Sequence, residues 1–174
     1  APALPANLGA IDGVSISGAT LPQAQFGYEV CLKCHADNAA TITSTISRQI
    51  VQSNLRLAFA PSAVSFHPVA VKGVNTNVPS LRPPYTITSL IACTDCHGSD
   101  TSKQAGGTGP NGPHGSSYPG LLLARYDTTG CRPYWGAGYA VCLKWHENSK
   151  VFSGWGPFRY RRRGMKAGQA PWSV

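Results

Sequence analysis

The sequence predicts a mostly irregular, loop-rich fold with a few short α-helices and little β-structure. Three observations lead there. Nineteen Gly and 14 Pro punctuate 174 residues, of which only 13% are charged, a composition of loops rather than regular layers of helix and sheet. The best helical periodicity is confined to residues 44–58, where Ile46, Ile50 and Leu57 share a face and Ser44 or Thr45 would cap. Two pentapeptides of identical spacing, Cys31-Leu32-Lys33-Cys34-His35 and Cys93-Thr94-Asp95-Cys96-His97, each set a pair of thiols beside an imidazole.

The spacing Cys-x-x-Cys-His has a chemical reason. Two thiols three positions apart on one helical turn can both form thioethers to a porphyrin edge, and the next residue offers its imidazole to the iron. A zinc site would need further Cys or His arranged as second knuckles, and a thioredoxin-like dithiol would need a βαβ pattern around it. Neither accompanies these motifs. Two covalent haems are therefore expected, on Cys31, Cys34 and His35 and on Cys93, Cys96 and His97. Porphyrins tied to the chain would supply the interior that a loop-rich chain lacks, as disulfides do in small secreted domains. The expected fold is that of a multihaem c-type protein whose core the haems build, with a largely unfolded apoprotein.

Three parts follow in order. Residues 1–27 are rich in Gly, Ala, Pro and Ser, with a β-leaning piece around Val14–Ile16, and read as an extended arm that packs over the haems or on a neighbouring subunit. Residues 28–125 form the dihaem core. Residues 126–174 hold a degenerate third-haem region and a basic tail.

Within the core, Phe26-Gly27-Tyr28-Glu29-Val30 leads into the first motif as the start of a short helix carrying Cys31 and Cys34. His67 stands in Ser65-Phe66-His67-Pro68-Val69, where the proline favours an extended backbone and projects the imidazole from a stiff segment. A histidine among apolar residues is more often structural than a ligand. Here each low-spin haem needs a sixth ligand and the chain holds five His in all, so His67 is a candidate distal ligand. Residues 85–91 read as a short strand-like approach to the second motif. Beyond it, the Gly-rich stretch 106–115 shapes a tight loop that allows the backbone close to a porphyrin face. His114 in that loop is the second candidate distal ligand, against the plainer reading of a surface histidine.

Taken together, Cys31–His35, Ser65–Val69, Cys93–His97, Gly112-Pro113-His114-Gly115-Ser116 and the Leu-rich Leu121–Leu123 resemble the repeat of bacterial multihaem c-type cytochromes with doubled C-x-x-C-H motifs. That family includes extracellular cytochromes that polymerise into conductive filaments. The resemblance covers roughly residues 26–148, and it implies bis-histidine haems with His67 and His114 as axial ligands.

The departures are informative. Tyr139-Ala140-Val141-Cys142-Leu143-Lys144-Trp145-His146 has the frame of a third motif, but Trp145 stands where its second cysteine belongs. Farther on, Phe158–Arg163 and Ala170–Val174 resemble the family's histidine-bearing stretch and fourth motif, without the histidines and with Trp172 at a cysteine position. Three explanations compete: a third haem held by one thioether at Cys142 with His146 as proximal ligand, a decayed module filled by Trp145, or an imperfect residue assignment near the end. Cys131 and Cys142 would alternatively pair as a disulfide in an oxidising compartment. Two bis-histidine haems leave His146 spare, and a third would draw its sixth ligand from Met165 or a neighbouring chain.

The net charge is +8, concentrated late: from Lys144 onward there are seven basic residues and one acid, Glu147. The run Arg161-Arg162-Arg163 has no nucleic-acid fold motif beside it, so nucleic acid is not the expected partner, and haem propionates are a nearer target for arginine forks. No apolar stretch approaches the length of a bilayer span. The opening Ala1-Pro2-Ala3-Leu4-Pro5 lacks a charged n-region and an apolar h-region, and is expected to follow a removed signal peptide.

The expectation is thus an exported, non-enzymatic electron-transfer protein, since no Ser/His/Asp, paired-carboxylate or phosphate-loop constellation is present. It would be extracellular or at the cell surface, as a homopolymer with haems stacked between subunits, passing electrons to redox proteins or extracellular acceptors. The alternatives are a soluble periplasmic multihaem carrier, and a reductase or gas sensor with an open haem site at His146.

Overall fold

A computed structural model describes residues 3–4, 10–37, 52–113, 115–127 and 136–152. Regular structure in it is sparse, in agreement with the loop-rich expectation. In chain order come β1 (Gly13–Val14), β2 (Thr20–Leu21), α1 (Gly27–His35), α2 (Leu55–Ala58) and α3 (Asn148–Phe152), with short 3₁₀ turns at Cys93–Asp95, Lys103–Ala105, Gly136–Tyr139 and Cys142–Lys144.

β1 and β2 pair antiparallel, Gly13 opposite Leu21 and Val14 opposite Thr20. The connection closes because Gly18 takes the left-handed conformation at φ +92° and its N–H donates to the Ser15 carbonyl at 2.9 Å. This hairpin lies on α1. A Cβ at Gly13 would come 2.9 Å from Ala24 Cβ and 3.0 Å from Glu29 Cβ, so only glycine allows the approach. Residues 10–27 therefore fold back on their own chain.

α1 starts where Glu29 turns back on the helix N-terminus. Its carboxylate is buried and accepts the N–H groups of Gln25 at 2.7 Å and Phe26 at 3.0 Å. Two donors at the helix entrance are thereby satisfied by a group with the sign that the helix dipole favours there.

α2 begins only at Leu55. The Asn54 side chain accepts the Arg56 N–H at 3.0 Å, and a side chain that caps in this way ends helical pairing before it. The helix read over 44–58 is thus confined to its last turn among the described residues, since 52–54 are not helical and 44–51 lie outside them. Leu57, which shares the apolar face read there, is 42% exposed. Arg56 instead ties α2 to the end of α1 through a two-point ion pair with Asp37, Nε to Oδ2 at 2.9 Å and Nη2 to Oδ1 at 2.7 Å.

The strand-like reading of 85–91 is replaced by a turn, in which Thr86 N–H donates to the Ser89 hydroxyl at 2.9 Å and Ser89 N–H to the Thr86 carbonyl at 3.0 Å. Hydroxyl side chains here satisfy the backbone locally, which removes the need for a partner strand.

The described core is centred on Trp145, packed with Val69, Ile91 and Val141. Around it lie Tyr28, Phe59, Tyr85, Leu122, Tyr126 and the thiol-bearing Cys93, Cys96 and Cys142. Burial of one indole of this size is worth about 4–6 kcal/mol by area, so Trp145 is a principal anchor of the fold. Among the described residues no helix is long and apolar enough to cross a membrane.

Candidate functional site

α1 carries the whole first pentapeptide in its last turns. Cys31 and Cys34 are separated by three residues and so lie on the same side. Cys31 is half-buried, Cys34 and His35 are exposed, and Leu32 faces the interior at 4% exposure.

The second pentapeptide forms a tighter turn. Asp95 opens it by accepting the Ala92 N–H at 2.8 Å. The N–H groups of Cys96 and His97 both donate to the Cys93 carbonyl, at 3.2 and 2.9 Å. The segment 121–123 then clasps the turn: Gly98 N–H donates to the Leu121 carbonyl at 2.7 Å and Leu123 N–H to the Cys96 carbonyl at 2.9 Å, with His97 bridged to Leu122. His97 Nδ1–H donates to the Gly120 carbonyl at 2.8 Å. The proton is thereby kept on Nδ1, and the Nε2 lone pair is left free. Gly120 and Leu121 are both left-handed, at φ +74° and +54°, and this turn aims the carbonyl at the imidazole.

The incomplete motif repeats that turn. Trp145 and His146 N–H groups donate to the Cys142 carbonyl at 3.2 and 3.0 Å. Glu147 N–H donates to the Ser80 carbonyl at 2.7 Å and Arg82 N–H to the Trp145 carbonyl at 2.8 Å, with His146 bridged to Leu81. His146 Nδ1 lies 2.9 Å from the Ser80 hydroxyl, as His97 Nδ1 lies beside Gly120. The clasp at the second turn comes from downstream in the chain and that at the third from upstream. Ser80 is 1% exposed, so its hydroxyl is a fixed partner.

The thiols converge on the core. The thiols of Cys31 and Cys93, from different pentapeptides, interact, which draws the Cys31 thiol down to about 7 and pushes Cys93 up. Burial raises Cys96 to about 11 and also raises Cys142, whose negative form would repel that of Cys96. Cys31 and Cys93 line an apolar cavity of about 20 Å³ with Tyr28, Leu32, Phe59 and Val69. That volume is water-sized, far below a porphyrin. The accessible side chains of Cys34, His35 and His97 are the ones through which such a group would be reached.

His67 sits in a turn closed by Val69 N–H on its own carbonyl at 2.8 Å, while Ile91 N–H donates to the Pro68 carbonyl at 3.0 Å. The residue as a whole is exposed, yet the protein atoms around its ring push its pKa below the ordinary histidine value. His146 is pushed the same way, by burial first and then by the charge of His67. The 67–69 segment and the His146 turn thus belong to one neighbourhood, with Val69 and Trp145 in the same core. His114, Cys131, Met165, Trp172 and the Arg161–Arg163 run lie outside the described residues.

Locally the residues fit a covalent haem: paired thiols on one helical surface, an adjacent histidine, and for His97 a settled tautomer. Among the described residues no three His, Cys, Asp or Glu side chains converge on a point where a bare ion would sit. No family model, curated protein or solved structure matches the chain. Two participants escaped the sequence reading, Ser80 and Gly120. Each acts on a histidine far along the chain, and neither stands in a local pattern that announces it.

Proposed function

We propose that the chain is an exported electron-transfer protein with haem covalently attached at Cys31, Cys34 and His35 and at Cys93, Cys96 and His97. The observation that carries this reading is the His97 turn, where the thiol pair, the backbone clasp and the Gly120 carbonyl together present Nε2 as a ligand atom. Haem supplies one-electron redox chemistry when bound. The protein's own contribution is to fix the imidazole tautomer, to surround the site with apolar side chains, and to set the local charge.

Bis-histidine ligation, with His67 and His114 as distal ligands, would leave no iron position for a substrate, which favours a carrier over an enzyme. Haems would add to the small protein core around Trp145. We read the chain as a subunit of an extracellular filament from its resemblance to cytochromes that polymerise, with a periplasmic carrier as the alternative; a head-to-tail interface that closes no ring would extend it indefinitely.

The test is the intact mass of the purified chain after denaturation, because thioether-bound haem survives unfolding. At least two haem masses are expected, and none would overturn the proposal. Electron microscopy then separates filaments from monomers, and carbon monoxide binding to the reduced protein would reveal an open site at His146 in place of a carrier.

A further inference from the structure

We infer that the Cys142–His146 turn is a third haem-attachment site, holding the porphyrin through a single thioether at Cys142 with His146 as proximal ligand. The inference rests on covalent haem at the two complete pentapeptides. What carries it is the repetition of one hydrogen-bonded frame. At both turns the N–H groups three and four residues after the first cysteine donate to its carbonyl, at 3.2 and 2.9 Å for Cys93 and at 3.2 and 3.0 Å for Cys142. At both, a separate segment brackets the histidine in an antiparallel bridge, Leu122 at His97 and Leu81 at His146. At both, Nδ1 has an oxygen partner, the Gly120 carbonyl at 2.8 Å or the Ser80 hydroxyl at 2.9 Å. In the tautomer whose Nδ1–H donates to the Ser80 hydroxyl, the His146 Nε2 lone pair is free for a metal.

The Trp145 indole is buried at 8% exposure in the cluster of Val69, Ile91 and Val141 against which Cys142 packs, while Cys142 and His146 stay partly accessible. Its Nε1–H is buried without an acceptor, so the ring contributes to the interior by area and makes no polar bond there. The site has lost one thioether and kept its other thiol, its imidazole and the clasp that aims it.

Attachment adds the Cys142 S–H across one vinyl group of the porphyrin. A C–S and a C–H bond form, the S–H bond and the vinyl π bond break, and no electrons leave or enter. The chain therefore gains the mass of one whole haem. Ser80 acts as a positioning residue through His146.

Peptide mapping of the intact holoprotein tests this directly. The expected result is three haem masses per chain and a haem-bearing peptide that contains Cys142. Cys142→Ala is expected to lose one haem mass, whereas Trp145→Cys keeps three and shifts one haem's alkaline pyridine spectrum toward the two-thioether form. Ser80→Ala should retain three masses yet move the midpoint potential of one haem, with Ser80→Thr restoring it; an unmoved potential removes Ser80 from this role. Haem on the peptides of residues 31–35 and 93–97 with a bare or disulfide-bonded Cys142 would overturn the third site alone. Haem on no peptide would overturn the proposed function with it.

Discussion

The Cys31 and Cys93 side chains line one apolar cavity although they belong to different pentapeptides, and the interaction between the thiols parts their proton affinities. The first cysteines of the two motifs thus meet at the apolar cavity between α1 and the Cys93 turn.

This interaction makes Cys31 a more reactive thiol than Cys96 in the folded, haem-free chain. A thiolate is the nucleophile, and Cys31 ionises at about 7 while Cys96 waits until about 11. Pulsed iodoacetamide labelling with mass spectrometry should show Cys31 modification rising through pH 7, well before Cys96. Equal rates at the two positions would contradict the contact, and in the haem-loaded protein neither residue should label.

Glu29 is the next test, because one buried carboxylate serves both backbone donors at the entrance to α1. Glu29→Ala leaves those donors unpaired and should cost about 1–3 kcal/mol, read as a fall in the denaturant midpoint at unchanged slope. Glu29→Gln keeps one acceptor oxygen and should cost less.

Trp145 separates area from polarity. Trp145→Ala opens a cavity among Val69, Ile91 and Val141 and should cost about 3–5 kcal/mol. Trp145→Phe loses part of the ring but also removes a buried N–H that has no acceptor, and an orphaned donor costs roughly 1–3 kcal/mol. The two effects oppose, so the net change should stay within about 1 kcal/mol. A penalty for Phe as large as that for Ala would mean that the indole N–H has a partner.

Gly120 holds a left-handed backbone with open space around its Cα. Gly120→Ala should therefore cost only conformational strain, about 1–2 kcal/mol. Its specific effect should be on the carbonyl that His97 Nδ1 contacts, visible as a changed Nδ1 signal in nitrogen NMR of the imidazole. Gly106→Ala, also left-handed in open space, should share the strain and leave His97 untouched.

Where the packed core around Trp145 keeps the haem-free chain folded, its pH dependence follows from His67 and His146, both pushed below the ordinary histidine value by the protein around their rings. The unfolded chain then binds protons more readily than the folded one. The stability contribution is full above about pH 6.5, the unfolded value, and is lost as pH falls from there through the lower folded values. The acid-side slope of Tm against pH should flatten in a His67→Gln, His146→Gln double variant.

The sequence by itself determined the loop-rich architecture, the helix that carries Cys31 and Cys34, and the two Cys-x-x-Cys-His motifs. Each is a matter of composition or of spacing within one turn, where neighbours in sequence are neighbours in space. Residues 52–54 and 85–91 depart from the sequence reading for a related reason: Asn54, Thr86 and Ser89 satisfy nearby backbone groups with their side chains, a choice that apolar periodicity does not register. Only the tertiary structure decided that Ser80 stands beside His146 and Gly120 beside His97, that residues 10–27 fold back on α1, and that Trp145 turns inward while Cys142 and His146 stay accessible. These are meetings of segments far apart in the chain, set by which surfaces pack and which carbonyls point where, and no local pattern carries that information.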